Sequence, residues 1–266
     1  MHRIVQASLV ALIVAVFAPA YGDAGNKPYL APGDEPNAKS FLRAFPAPDS
    51  GTGQDEKAIY EHMRGFEHSA NKEESDRWQT AIKDNDLSTA AMLADFSCAI
   101  GAQLTPENAP HLAAIYNRGQ IDAGLVSRDS KNAFARPRPF VGNTEDTCVD
   151  RSTVGASFSY PSGHTILSWF FALVLSENAP DRSTAILARG RAFGESRVVC
   201  GMHWPSDIEA GRTTASAVFA ALESNADFRA DMDAARSEIA AARAHPVAPD
   251  AARCTLESAA SAKQPW

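Results

Sequence analysis

The chain has 266 residues, 45% of them hydrophobic and 21% charged, a globular composition that can supply the core of one large domain or two small ones. Its formal charge is −7. That acidic balance argues against a nucleic-acid polymer as partner, because affinity for a phosphate backbone rests on clustered Lys and Arg.

Residues 1–22 read as a secretory signal. Met1-His2-Arg3 gives a short positive start, Ile4 to Ala20 is uncharged and mostly apolar, and Ala18, Ala20 and Gly22 offer cleavage sites, with Gly22 preferred over Ala20. Cleavage removes one cation, Arg3, and leaves −8. The alternative, an uncleaved anchor, suits a run this short and ending at Pro19 less well, and no other stretch is apolar enough to span a bilayer. A periplasmic or secreted location without stable membrane insertion is expected. Export makes Cys98, Cys148, Cys200 and Cys254 read as two disulfides, since none shows the C-x-x-C spacing of a zinc or redox site. Three connectivities are open. The favoured pair is Cys148 with Cys200, which flank the motifs described below; four free thiols would follow only if the chain were not exported.

Residues 23–60 form a lead-in rich in Pro, Gly, Asp and Ala, broken by Pro28, Pro32, Pro36, Pro46 and Pro48, and expected to run extended over the surface. From Lys57 the pattern turns helical, so the class is all-α, a single-domain helical bundle over 61–245. Thr105 caps a helix with Pro106 at its first position, running to about Asn132 and stopped by Pro137 and Pro139. Ser162-Gly163-His164 opens a helix that closes at Asn178-Ala179-Pro180-Asp181. Further helices are expected over 182–193, 206–222 after Pro205, and 227–244, and residues 246–266 read as a tail pinned at Cys254.

Three segments carry chemistry. The first runs from Lys131 through Arg138 to Phe140, the second is Tyr160-Pro161-Ser162-Gly163-His164, and the third is Ser196-Arg197 followed by His203 and then Asp207. Each alone is weak, since a lone His is usually structural and cations near proline are usually a solvated loop. Together they match K-x6-R-P, P-S-G-H and S-R-x5-H-x3-D with the internal spacing intact. The chain therefore resembles the type 2 phosphatidic acid phosphatase superfamily, which includes vanadium-dependent haloperoxidases and bacterial class A non-specific acid phosphatases. Similarity to the class A enzymes extends to Arg136, Phe140, Ser159-Tyr160, Val198 to Gly201 and Trp204, and spans about Leu87 to Ala244. It leaves 23–60 and the tail without support.

The residue types fit the chemistry of a phosphate monoester, whose transition state spreads negative charge over three equatorial oxygens. Lys131, Arg138 and Arg197 supply cations, and arginine's planar fork bonds two oxygens at once. Ser162 and Gly163 sit at a helix N-terminus, where free N–H groups favour an anion, and the Ser162 hydroxyl can donate. The resemblance implies that His203 attacks phosphorus and carries a phosphohistidine, that Asp207 bonds its other ring nitrogen, and that His164 protonates the leaving oxygen and then activates water. A histidine pKa of about 6.5 would leave much of His164 protonated in mild acid. One departure stands out: class A enzymes usually have glycine where this chain has Phe158, so Phe158 and Tyr160 become candidate pocket residues able to narrow the mouth or stack on aryl or nucleoside groups.

The expected activity is hydrolysis of small phosphorylated substrates with release of inorganic phosphate, with phosphotransfer to alcohols as a side reaction and no metal or cofactor. A homo-oligomer is compatible with the composition. Competing readings are a vanadium haloperoxidase, disfavoured by the compact chain, a lipid-phosphate phosphatase, a phosphoester-binding protein without turnover, and a metal site at His164, His203 and Asp207, which three crowding cations oppose. Ser162 as a nucleophile lacks the glycine two residues earlier that a hydrolase elbow wants. His62, His68, His111 and His245 match nothing, and Lys72-Glu73-Glu74 reads as a solvated face.

Overall fold

The computed structural model describes residues 27–65, 75–142, 144–154 and 157–262. The expected leader 1–22, His68 and the run Lys72-Glu73-Glu74 lie outside the described residues. The fold is all-α, and no strand occurs among the described residues. The helices are α1 (Gly51–Arg64), α2 (Asp76–Lys83), α3 (Thr89–Ile100), α4 (Pro110–Phe134), α5 (Gly163–Asn178), α6 (Ser183–Val199), α7 (Pro205–Leu222), α8 (Ala226–Ala244) and α9 (Ala251–Ala262). No helix among the described residues is long and apolar enough to cross a membrane.

Helix α5 is the axis of the bundle. Its mean composition is apolar, and Ile166, Phe170, Phe171, Val174 and Leu175 are fully buried against α3, α4, α6, α7 and α8. Edge-to-face rings fix it there: Phe171 meets Phe96 at 5.5 Å and Tyr116 at 5.3 Å between centroids. A smaller cluster of Tyr60, Met63, Trp78, Val198, Met202 and Ile208 packs beneath the α6–α7 turn. Burial of each such side chain contributes about 1.5–3 kcal/mol.

Several borders differ from the sequence expectation for local reasons. Helix α1 begins at Gly51, six residues before the expected helical onset at Lys57, because Ser50 accepts from the Gly53 N–H at 3.1 Å. Glycine at 53 hides the pattern, yet it is required there: a Cβ would sit 2.1 Å from the Ala47 carbonyl oxygen. Thr105 caps only a single turn, with the Asn108 N–H donating to its hydroxyl at 3.3 Å. The helix itself starts at Pro110, since a residue before proline is pushed out of the helical region and Ala109 lies at φ −140°, ψ 58°. Helix α6 continues six residues beyond Phe193, carrying Ser196 and Arg197 on it, because Gly190 and Gly194 let it lie close against its neighbours.

The described parts of the lead-in and of the tail are both tied to the bundle. Asp122 of α4 accepts from the Tyr29 and Leu30 N–H groups at 2.9 and 3.1 Å, and the Arg118 guanidinium lies 3.6 Å from the Tyr29 ring centre. The expected tail contains α9, held to α3 by a Cys98–Cys254 disulfide; the second disulfide is the favoured Cys148–Cys200.

Close approach of α5 to α6 and α7 places the site. A Cβ on Gly190 would lie 2.7 Å from the Ala172 Cβ, and one on Gly211 would lie 2.8 Å from the Thr165 Cβ and 3.0 Å from the Ser162 carbonyl oxygen. Either Gly→Ala change should lower stability by about 1–3 kcal/mol, or a Tm drop of about 2–4 °C per kcal/mol for a chain this size. Only Gly211→Ala should also lower kcat in the folded fraction, since it alone pushes on the turn at Ser162. Thermal melts paired with active-site-titrated kinetics check this, and a Gly211→Ala protein with full kcat would contradict it.

Candidate active site

The turn between α6 and α7 carries His203. The Met202 and His203 N–H groups both donate to the Arg197 carbonyl, at 3.0 and 3.2 Å, which folds the chain back on the end of α6. Gly201 permits this with φ at +75°, a region that favours glycine. Pro205 then occupies the first position of α7, where its missing N–H is no loss, and Asp207 at the third position accepts from the Trp204 N–H at 2.8 Å.

Asp207 is fully buried and gathers all three motif segments. Its carboxylate accepts from Arg136 at 2.7 Å, from the Ser159 hydroxyl in a short bond, and faces His203 Nδ1 at 3.2 Å. Its backbone carbonyl accepts from the Ser162 N–H at 3.0 Å. Arg136 in turn donates to Glu56 of α1 at 2.6 Å and lies between the Phe45 and Trp204 rings, at 4.7 and 5.3 Å. This guanidinium, with both faces covered and both edges paired, serves to hold Asp207 rather than to meet a ligand.

The partners of His203 set its tautomer. Arg138 Nη1 lies 3.1 Å from His203 Nε2, and a guanidinium can only donate, so Nε2 is the acceptor and Nδ1 carries the hydrogen toward Asp207. Burial, reinforced by Arg138, Lys131 and Arg197, holds the His203 pKa well below the usual histidine value. The ring is therefore neutral, with its Nε2 lone pair turned toward the cations.

Those cations form no ion pair with a carboxylate among the described residues. Arg138 donates to the Ser157 and Met202 carbonyls at 2.9 and 3.0 Å. Lys131 donates to the Phe158 and Ser159 carbonyls at 2.6 and 3.2 Å, leaving one ammonium hydrogen, and burial with Arg138 lowers its pKa to about 7. Arg197 is 1% exposed and gives one bond, to the Asn85 side chain at 3.1 Å; its Nε and Nη1 find no acceptor among the described residues. Burial pushes its pKa down to about 10.

Ser162 and Gly163 open α5 as expected, but the Ser162 N–H is already bonded to Asp207, so the first free helical donors are those of Gly163 and His164. The Ser162 hydroxyl accepts from the Thr165 N–H and hydroxyl at 3.3 and 3.0 Å and keeps its own hydrogen to donate. His164 Nε2 lies 3.2 Å from the Asn85 carbonyl, which can only accept. Contrary to the expectation of a pKa near 6.5, burial followed by Arg197 and His203 holds His164 well below it. The imidazoles of His164 and His203 face a carbonyl and a guanidinium rather than converging, and no metal-ligating cluster occurs among the described residues.

A cleft of about 490 Å³ opens beside this cluster, lined by Lys131, Gly163, His164 and Phe158. Phe158 lies at this cleft. Tyr160 does not: it is buried, donates to the Arg43 carbonyl at 2.7 Å and packs on Phe134 and Phe45, so its role is to support the turn. Sequence reasoning missed Glu56 and Asn85, which carry no motif signal, and named Arg136 and Ser159 without giving them work.

Comparison with known proteins agrees with this geometry. Residues 113–229 match the PAP2 superfamily. The chain is 44% identical over 189 residues to an acid phosphatase of Zymomonas mobilis, covering 70% of this chain and 71% of the relative. It is 36% identical to a non-specific acid phosphatase of Providencia stuartii over 85% of this chain and 92% of the relative, and 34% identical to one of Salmonella typhi over 86% and 89%. On relatives this similar and this fully covered, the chain belongs to the PAP2 superfamily.

Proposed function

We propose that this protein is an exported acid phosphatase that hydrolyses phosphate monoesters through a phosphohistidine on His203. The observation that carries the reading is His203 itself: its Nδ1 is tied to Asp207 while its Nε2 lone pair faces Arg138, with Lys131 and Arg197 beside it. The relatives in Zymomonas and Providencia, named as acid phosphatases, support the phosphatase activity. The leader at residues 1–22 and the two disulfides support export to the periplasm or medium.

In this reading the phosphoryl oxygens take hydrogen bonds from Arg138, Arg197, Lys131, the Gly163 N–H and the Ser162 hydroxyl. Arg138 moves its Nη1 hydrogen from His203 to a phosphoryl oxygen, which frees the lone pair. Nε2 then bonds phosphorus as the ester P–O bond breaks, and His164 delivers a proton to the departing oxygen. Asp207 stabilises the resulting imidazolium through its Nδ1–H bond. In the second step His164 takes a proton from water, the hydroxide bonds phosphorus, and the N–P electron pair returns to Nε2. A bound dianion offsets the cations that keep His164 neutral, so the proton needed for the first step arrives with the substrate in acid solution.

His203→Ala should abolish turnover and the alkali-stable phosphate label, whereas His164→Ala should label and then hydrolyse slowly; quenched-flow labelling with a radioactive aryl phosphate reads both. A labelled His203→Ala protein would remove His203 as nucleophile.

Sulfate, a dianion across neutral and mildly acid pH, should inhibit more strongly as pH falls from about 8 to 5, because binding raises the depressed pKa values of Lys131 and His164 and takes up protons. Lys131→Arg, which stays charged, should flatten the dependence near pH 7, and His164→Asn the part below it. An inhibition constant independent of pH in the unmodified enzyme would contradict this coupling.

A further inference from the structure

The arginine that holds Asp207 is shared with a second carboxylate. Arg136 Nη1 donates to Asp207 Oδ1 at 2.7 Å and to the Ser206 hydroxyl at 2.8 Å, while its Nη2 donates to Glu56 Oε2 of α1 at 2.6 Å. Glu56 Oε1 accepts from the Ser206 N–H at 2.8 Å and from the Ser206 hydroxyl. It thereby covers one of the free donors at the start of α7, the helix whose third residue is Asp207. All three side chains are buried, with 7% of Glu56, 7% of Arg136 and none of Asp207 exposed. Glu56 does not line the cleft beside His164.

A joint that served packing alone would need one anion for its one cation. Here two buried carboxylates share one guanidinium, which leaves a net negative charge beside the reacting ring. Burying that excess is costly unless a positive charge meets it. His203 is placed to supply one: its Nδ1 faces Asp207 Oδ2 at 3.2 Å, and its ring becomes an imidazolium when Nε2 bonds phosphorus. Arg138, Lys131 and Arg197 all oppose positive charge on that ring. Without Glu56, the Arg136 charge would fall undivided on Asp207 and add to the opposition. We propose that Glu56 is a positioning residue for turnover, which by pairing Arg136 leaves the Asp207 charge to the His203 imidazolium and acts on the reaction without touching substrate. This rests on the phosphohistidine reading above.

Glu56→Gln keeps the size of the side chain and removes its charge. With an aryl phosphate as substrate, kcat per folded molecule and the rate of phosphoenzyme labelling should both fall about ten- to hundredfold, the scale for losing a partner that orients a reacting group. The inhibition constant of inorganic phosphate, which reads the cations, should stay within about threefold. A second change separates charge from packing. Glu56→Gln combined with Arg136→Gln has lost more hydrogen bonds but lacks the lone cation, and it should turn over at least about threefold faster per folded molecule than Glu56→Gln alone. A purely structural Glu56 would instead make the double variant the slower of the two. If Glu56→Gln does not fold, Arg136→Gln is compared with the double variant; their kcat values should agree within about threefold, because Glu56 acts through Arg136. Full kcat in folded Glu56→Gln, a double variant slower than the single, or a tenfold gap in the last comparison overturns the inference and leaves the phosphatase reading intact. A phosphate label that persists in His203→Ala refutes the phosphohistidine reading instead.

Discussion

Asp207 holds the site together because one buried carboxylate is shared by groups from every part of the chain that matters. It accepts from Arg136 of the first segment, from Ser159 before the second and from its own helix cap, and it orients His203 of the third. Its backbone carbonyl also fixes the start of α5 through the Ser162 N–H. A buried carboxylate left without these donors would be costly, so the segments that supply them are drawn to one place. The same contacts fix which nitrogen of His203 holds the hydrogen.

Comparison of the buried arginines shows what distinguishes the site from the scaffold. Arg136 bridges Glu56 and Asp207, and Arg189 is surrounded by Asp84 at 2.5 Å, Asp95 at 3.7 Å and Glu257 at 3.8 Å. Those cations are neutralised and tie elements together. Lys131, Arg138 and Arg197 have carbonyls and an amide as acceptors instead; desolvation lowers the pKa of all three, and the Arg138 charge lowers those of Lys131 and Arg197 further. The two histidines respond to the same field. Together with burial, it holds the pKa of both well below the usual histidine value.

Much of the site was legible before folding because its chemistry is local. His203 and Asp207 are four residues apart and Asp207 caps the helix that follows, while Ser162-Gly163 announces a helix N-terminus in two residues. Glu56 was hidden because it sits in a glycine- and proline-rich stretch that reads as a loop, and its value appears only when α1 meets Arg136 across 80 residues. Asn85 was hidden for a different cause: it acts on His164 through its backbone carbonyl, which every residue possesses. Tyr160 was misjudged since an aromatic beside a motif can face the cleft or the interior, and only packing against Phe134 and Phe45 decides.

By itself the sequence determined the helical class, the three motif segments, the cations and the two histidines, because residue type and short spacing are properties of the chain. The tertiary structure decided which cations are neutralised by carboxylates and which are not, the tautomer of His203, the lowered pKa of His164 and the place of Phe158 at the cleft. Those depend on burial and on neighbours brought from distant parts of the chain, and the field at a buried group exists only once the helices have closed around it.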